Sequence, residues 1–284
     1  MISSNRLKSA VRKRRSTRTY KNCSLSADDK VKLQSYIDEI KTMTGPFSTT
    51  FDTLQLIEQS TGKAEKIGTY GFIKHAPAFI VGATKNTKPH LIDYGYLFEM
   101  LILELTENNF GTVWLGGTFK RPRFDALIKD DNYFIPAITP VGYKHARHSM
   151  REYAIRKIAS ADSRKDFGDL FFEYPAMVSL KRTDEPRLAK ALDMVRGGPS
   201  ASNKQPWRIY HKKNTLHVYL KKDPKYNAML KYDIQYLDIG IALCHLEIGL
   251  KTHDFSFKRF DEAPNIELDN HEYILSYKIK RLKH

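Results

Sequence analysis

Arg14, Arg15, Ser16 and Arg18 stand together in RRSTR, and forked guanidiniums beside a short hydroxyl can enclose a phosphate or an electron-rich heterocycle. The surrounding RKRRSTRTY (12–20) holds five positive charges in nine residues, so the same text also suits a basic arm on a polyanion. A second stretch, GGPSASNKQPW (197–207), crowds proline, small hydroxyls and amides into one loop. Pro199 and Pro206 stiffen it, and the small side chains let backbone approach a flat ligand closely; the same residues also make ordinary turns. The third, GTVWLGGTF (111–119), sets Gly116 and Gly117 after an apolar Trp-Leu pair. That suits a backbone whose N–H groups face a ligand, or simply a tight turn.

The elements that must position these stretches follow from pattern. Ser26-x-x-Asp29 opens a helix on which Val31, Leu33, Ile37 and Ile40 recur at helical spacing, ended by TGP (44–46). FDTLQLIEQSTGK reads as a strand into a turn, and APAFIVGAT (76–84) as a fully buried strand. A long apolar helix covers 91–109 and stops at NNFG; a short helix follows at 121–130 and a strand at 136–143. After a charged span, 144–169, come a helix at 185–195, a hairpin in WRIYHKKNTLHVYL, and an apolar helix at 233–250. In a last strand, 272–280, Tyr273, Leu275, Tyr277 and Ile279 alternate.

Composition narrows the function classes. With 284 residues and 41% hydrophobic content the chain can build one large core or two ordinary ones. The stretch 91–105 carries Asp93, Glu99 and Glu104 and is shorter than the roughly 20 residues of a bilayer span, so it reads as a buried helix. Arg6, Lys8 and the basic run from Arg12 break the first apolar run, which excludes a secretory signal there. Two distant cysteines, Cys23 and Cys244, build no disulfide framework, so a reducing cytoplasm is expected. HARH (145–148) has no carboxylate at ligand spacing, and no metal is expected. Forty-seven Lys+Arg against 32 Asp+Glu leave a formal +15, which attracts phosphorylated cofactors, anionic substrates or nucleic acid.

The two parts run in the same order: Asp93-x-Gly95 and Asp238-x-Gly240 mark the long helices, and PFSTTFDTLQLIE and PSASNKQPWRIYH each link a helix to a strand. An α+β unit repeated as two tandem halves, 1–169 and 170–284, is therefore expected.

RRSTR, PSASNKQPW and VWLGG together resemble the nitroreductase superfamily of FMN enzymes. There R-R-S-x-R opens the chain, P-S-x-x-N-x-Q-P-W follows the next helix, and a W-L-G-G-like loop comes later. Here the second motif is displaced into the second half, and PFSTTFDTL stands at its expected place. That order is similar to the single-chain, internally duplicated branch, whose halves pack as an intramolecular pseudo-dimer. The resemblance implies that Arg14, Arg15 and Ser16 hold the FMN phosphate and ribityl chain, and that Arg18 points at the N1/C2 edge of the ring. Pro199, Ser200, Ala201 and Asn203 would cover ring and ribityl, with Gln205 their neighbour. Gly116 and Gly117 would offer N–H groups to N5 and O4, backed by Leu115 and Trp114. Arg164, with Lys165 as the fallback, would bind phosphate. Tyr70 and Gly71 in GTYGF would approach the pyrimidine edge, although the usual Asn and Lys are missing there.

No second RRS occurs, so one FMN per chain is expected. The implied reaction is ping-pong: NADH or NADPH gives hydride to flavin N5, then a small-molecule acceptor such as a nitroaromatic or quinone is reduced. The flavin carries that chemistry, so no catalytic side chain is assigned. Two other readings stand beside it: an FMN store or redox sensor with little turnover, and a basic nucleic-acid-binding protein. No membrane partner is expected.

Overall fold

Leu7, Ala10 and Val11 fall at helical spacing among basic residues, and in the computed structural model they are the buried stripe of helix α1 (Ser4–Lys13). The structure describes residues 4–59, 73–128, 130–145, 163–224, 230–265 and 268–282. They fall into two units, Lys13–Ala159, and Met1–Arg12 together with Ser160–His284. The second unit is thus discontinuous, and α1 groups with the C-terminal residues, unlike in the contiguous halves expected from sequence.

In the first unit Ser26 caps helix α2 (Ala27–Lys41), its Oγ accepting the Asp29 N–H at 3.1 Å. Leu33, Ile37 and Ile40 form its buried face. Val31 does not join them and is 71% exposed, because two residues before Leu33 is roughly the opposite side of a helix. Strands β1 (Thr53–Glu58) and β2 (Ala78–Lys85) precede helix α3 (Lys88–Glu107). Then come β3 (Phe110–Thr112), β4 (Tyr133–Phe134) and β5 (Ile138–Tyr143). The short helix expected at 121–130 is a 3-10 helix, Arg121–Leu127. The strands lie in the order β1-β2-β5-β3, antiparallel, with β4 also on β2. Tyr94 of α3 reaches across to donate to the Ala137 carbonyl at 2.6 Å. Phe79, Val81 and Ala83, alternating on β2, pack with Leu115, Phe119, Phe124, Ile135 and Ile138 in a dry core.

In the second unit β6 (Phe171–Glu173) and β7 (Val178–Ser179) precede helix α4 (Pro186–Arg196). The hairpin β8 (Trp207–Lys212) and β9 (Thr215–Lys221) follows, then helix α5 (Gln235–Thr252), β10 (Phe255–Phe260) and β11 (His271–Arg281). The order is β10-β11-β9-β8-β6-β7, antiparallel except where β6 runs parallel to β8. Gly249 of α5 meets α4 so closely that a Cβ there would lie 2.6 Å from the Ala191 carbonyl oxygen. The alternation expected along β11 is broken by an irregularity between Tyr273 and Leu275, which puts Ile274, Leu275 and Ser276 all in the interior.

Both units are mixed α+β, as expected. Set aside β6 and β7, and β8-β9-β11-β10 repeats the order β1-β2-β5-β3. Counting each from its proline, Pro46 or Pro199, the registers agree as well. Gln55 faces Val81 as Arg208 faces Tyr219, and Phe79 faces Pro140 as His217 faces Ser276. Among the described residues no helix is long and apolar enough to cross a membrane, and no group of three potential metal ligands occurs.

Candidate functional site

The first unit holds RRSTR as an extended segment just after α1. Thr17 N–H donates to the Thr112 carbonyl at 2.9 Å, and the Lys74 N–H donates to that of Arg18 at 2.8 Å. Ser16 bridges Thr112, which sets the segment parallel to β3. Thr17 lies over Gly111, where a Cβ would come 2.7 Å from its Cγ2, so glycine there is required. Arg14 turns inward: it is 7% exposed, and its Nε lies 4.0 Å from Glu99 Oε1 of α3. Glu99 also accepts the Trp114 indole N–H at 2.7 Å. Arg14 therefore has a carboxylate partner in its own unit, and Trp114, expected as an apolar backing, is polar-anchored. Arg15 is exposed and donates to the Arg14 carbonyl at 2.9 Å, while Arg18 is half-buried.

Leu115 and Ile138 exchange N–H···O bonds of 2.9 and 3.0 Å, fixing the chain where the glycines begin. Arg121 then grips this turn, donating to the carbonyls of Gly116, Ile135 and Pro136 at 2.5, 3.2 and 3.2 Å. Gly117 is exposed and its N–H has no acceptor among the described residues. Tyr70 and Gly71 lie outside the described residues.

The second unit gathers most of the other candidates. Ala201–Asn203 makes one 3-10 turn in which Ser202 and Asn203 have φ of 46° and 55°, and Gln205 has φ of 47°. Three left-handed residues that are not glycine store strain, which the surrounding bonds must hold. Ser200 Oγ accepts the Gln205 N–H at 2.9 Å, and Asp238 Oδ1 of α5 accepts that of Ala201 at 2.8 Å. Arg164 donates to Asn203 Oδ1 at 3.2 Å and to the Gly197 carbonyl at 3.3 Å. Gln205 closes the ring: its Nε2 donates to Asn203 Oδ1 at 3.2 Å, and its Oε1 accepts the Lys165 N–H at 3.1 Å. Pro199 is half-buried at the start of this loop.

Asp238 and Lys165 both have displaced titrations. Asp238 is 2% exposed and its Oδ2 has no partner, so burial pushes its pKa well above the usual carboxylate range. Lys165 falls to about 8, first through burial and then through the nearby Arg208 and Lys221 cations. The sequence motifs located the loops but missed Glu99, Arg121 and Arg208. The one signal was a charge standing inside an otherwise apolar run, as Glu99 does.

A family model described as "Putative TM nitroreductase" matches residues 6–250. The fold resembles a crystal structure described as a putative nitroreductase from Thermotoga maritima MSB8, at TM-score 0.57 and 17% identity, over 95% of this chain and 91% of that one. A nitroreductase with bound FMN from Bacteroides fragilis NCTC 9343 aligns at TM-score 0.40 and 15% identity, over 51% of this chain and 91% of that one. A search among curated proteins returns no match.

Proposed function

The chain belongs to the nitroreductase family matched by that model, an oxidoreductase family, and on that premise we propose that it is an FMN-dependent NAD(P)H oxidoreductase with one flavin per chain. The observation that carries the proposal is the loop Ser200–Gln205. It keeps three strained left-handed residues and a half-buried amide network around Arg164 that a mere helix-to-strand link does not require.

The residues present fit the group. In the first unit Ser16 and Arg18 are displayed on a rigid extended segment, and Gly117 offers an unused N–H where a ring heteroatom could accept it. Arg15 is exposed, and we assign it to the phosphate, while Leu115 anchors the glycine turn. Gly116 turns its carbonyl to Arg121, which fixes the direction of the next N–H. In the second unit Arg164 supplies the fixed positive charge, while Pro199, Ser200, Ala201, Asn203 and Gln205 supply a close backbone and amides. We assign Arg14 to holding Arg15 and Ser16 in place through Glu99.

When bound, the flavin accepts hydride from NADH or NADPH and passes electrons to a nitroaromatic, quinone or similar acceptor. The side chains bind and orient it, and none is assigned a proton-transfer role. The same strand order and registers in both units support an origin by duplication of one α+β half. A free basic arm for nucleic acid fits less well, because Arg14 is buried and Ser16 to Tyr20 are bridged to neighbouring chain. Cys23 and Cys244 are in no disulfide, which suits a cytoplasmic location.

The visible spectrum of the purified protein tests the proposal. We expect flavin bands, one FMN released per chain on denaturation, and bleaching by NAD(P)H without oxygen. Colourless protein that takes up no added FMN would overturn it.

A further inference from the structure

The two units use one sheet face in opposite ways. In the first, Ile57, Phe79, Val81 and Ile138 are covered by the apolar chain between β3 and β5, residues 113–137. In the second, the connection from β10 to β11 is only 261–270, and the matching positions carry Tyr210, His217, Tyr219 and Tyr273. Along this face Arg208 stands where the first unit has Gln55, and Lys221 where it has Ala83.

Arg208 is 6% exposed. Its Nη1 donates to the carbonyls of Gln205 and Trp207 at 3.0 and 2.6 Å, and it makes no ion pair among the described residues. Lys221 is brought to the same end of β8 by its N–H bond to the Pro206 carbonyl, 2.8 Å. Lys165 reaches that end as well, tied by its N–H to Gln205. Neither lysine ammonium has an ion-pair partner among the described residues, whereas nearby Lys204 is paired with Asp223 at 3.1 Å. Among the described residues the carboxylate acting on both Lys165 and Arg208 is that of Asp169, and it is exposed. Three cations, one nearly buried, are thus held together with little compensation, an arrangement that is unfavourable until an anion joins it.

We propose that Lys165, Arg208 and Lys221 form a binding site for a phosphate-type oxyanion, separate from the flavin. Arg164 bonds Asn203 and Gly197, while its neighbour Lys165 is tied through its N–H to Gln205 and lies near enough to Arg208 and Lys221 to feel their charge, so the two basic residues serve different surroundings. A guanidinium whose Nη1 is used by two carbonyls but whose Nε and Nη2 bond no described residue, with two ammonium groups, matches the several acceptor oxygens of a phosphate. The phosphate could be inorganic or the 2′-phosphate of a nucleotide.

Calorimetric titration of the purified protein with inorganic phosphate, 2′-AMP and 5′-AMP, in a phosphate-free buffer of low ionic strength at pH 7, tests this. Wild type should bind phosphate, with affinity falling as pH rises past about 8 and Lys165 loses its charge. Arg208→Gln should weaken binding about tenfold, one charge-assisted hydrogen bond. The exposed Lys221→Gln, whose side chain bonds no residue of the flavin loop, should weaken it in the same direction with flavin content unchanged, and guards against misfolding of the first variant. Tighter binding of 2′-AMP than of phosphate, with 5′-AMP weaker, identifies a nucleotide 2′-phosphate; equal binding of all three identifies free phosphate chemistry. Absence of binding, or equal binding by wild type and both variants, overturns the site. Loss of flavin from Lys221→Gln would also overturn it, by making these cations part of the flavin's own phosphate site.

Discussion

The link from helix to strand exists twice, and its two copies are held differently. In the first unit Asp93 spends both oxygens on the loop: it accepts the Phe47 N–H at 2.9 and 3.2 Å and that of Thr49 at 2.8 Å. One residue there, Ser48, is left-handed. In the second unit Asp238 gives one oxygen to one N–H, and three residues are left-handed. The copy with degenerate text is tied down more firmly. The copy that keeps the motif is strained and lightly anchored, as expected of a loop retained for what it binds.

Removing the anchors should sharpen this contrast. Asp93→Ala should lose about 3 kcal/mol in urea unfolding, because two half-buried N–H groups lose a buried carboxylate acceptor. A loss below about 1 kcal/mol would break the comparison. Ser200→Ala should lose about 1.5 kcal/mol, by leaving the Gln205 N–H without its acceptor. Asp238→Asn should have the smallest effect near pH 4 and an increasing one above it. The folded-state pKa of Asp238 is raised, so above the unfolded value the native state holds a proton that the unfolded state has released. Wild-type stability is therefore eroded as pH rises through that window, and the neutral amide removes the erosion. Melting curves of the pair that stay parallel from pH 4 to 8 would contradict the neutral acid.

Much of this was legible beforehand. Ser26 announced α2, the apolar runs announced β2, α3 and α5, and the turn in WRIYHKKNTLHVYL announced the β8–β9 hairpin. Short strands were not: β3, β6 and β7 hold two or three residues each, too few for any periodicity, and owe their existence to neighbours. Helix α1 was hidden because its three buried residues lie among charges that also suit a tail. In the site, motif chemistry found the loops by residue type. It could not find Glu99 behind Arg14, or Asp238 under Ala201, because such pairings arise only when distant helices come to lie against those loops.

The discontinuity of the second unit bears on how the molecule is made. Helix α1 is synthesised before the residues beyond 160 with which it belongs, and the pKa of His253 is lowered first by burial and then by charges that include Lys8 and Arg12. This amphipathic segment must therefore wait, with Leu7 and Val11 uncovered, until residues beyond 160 have been synthesised. Completion of this unit accordingly follows that of the intervening one, and nascent chains stalled before α5 should expose α1 to proteases and chaperones.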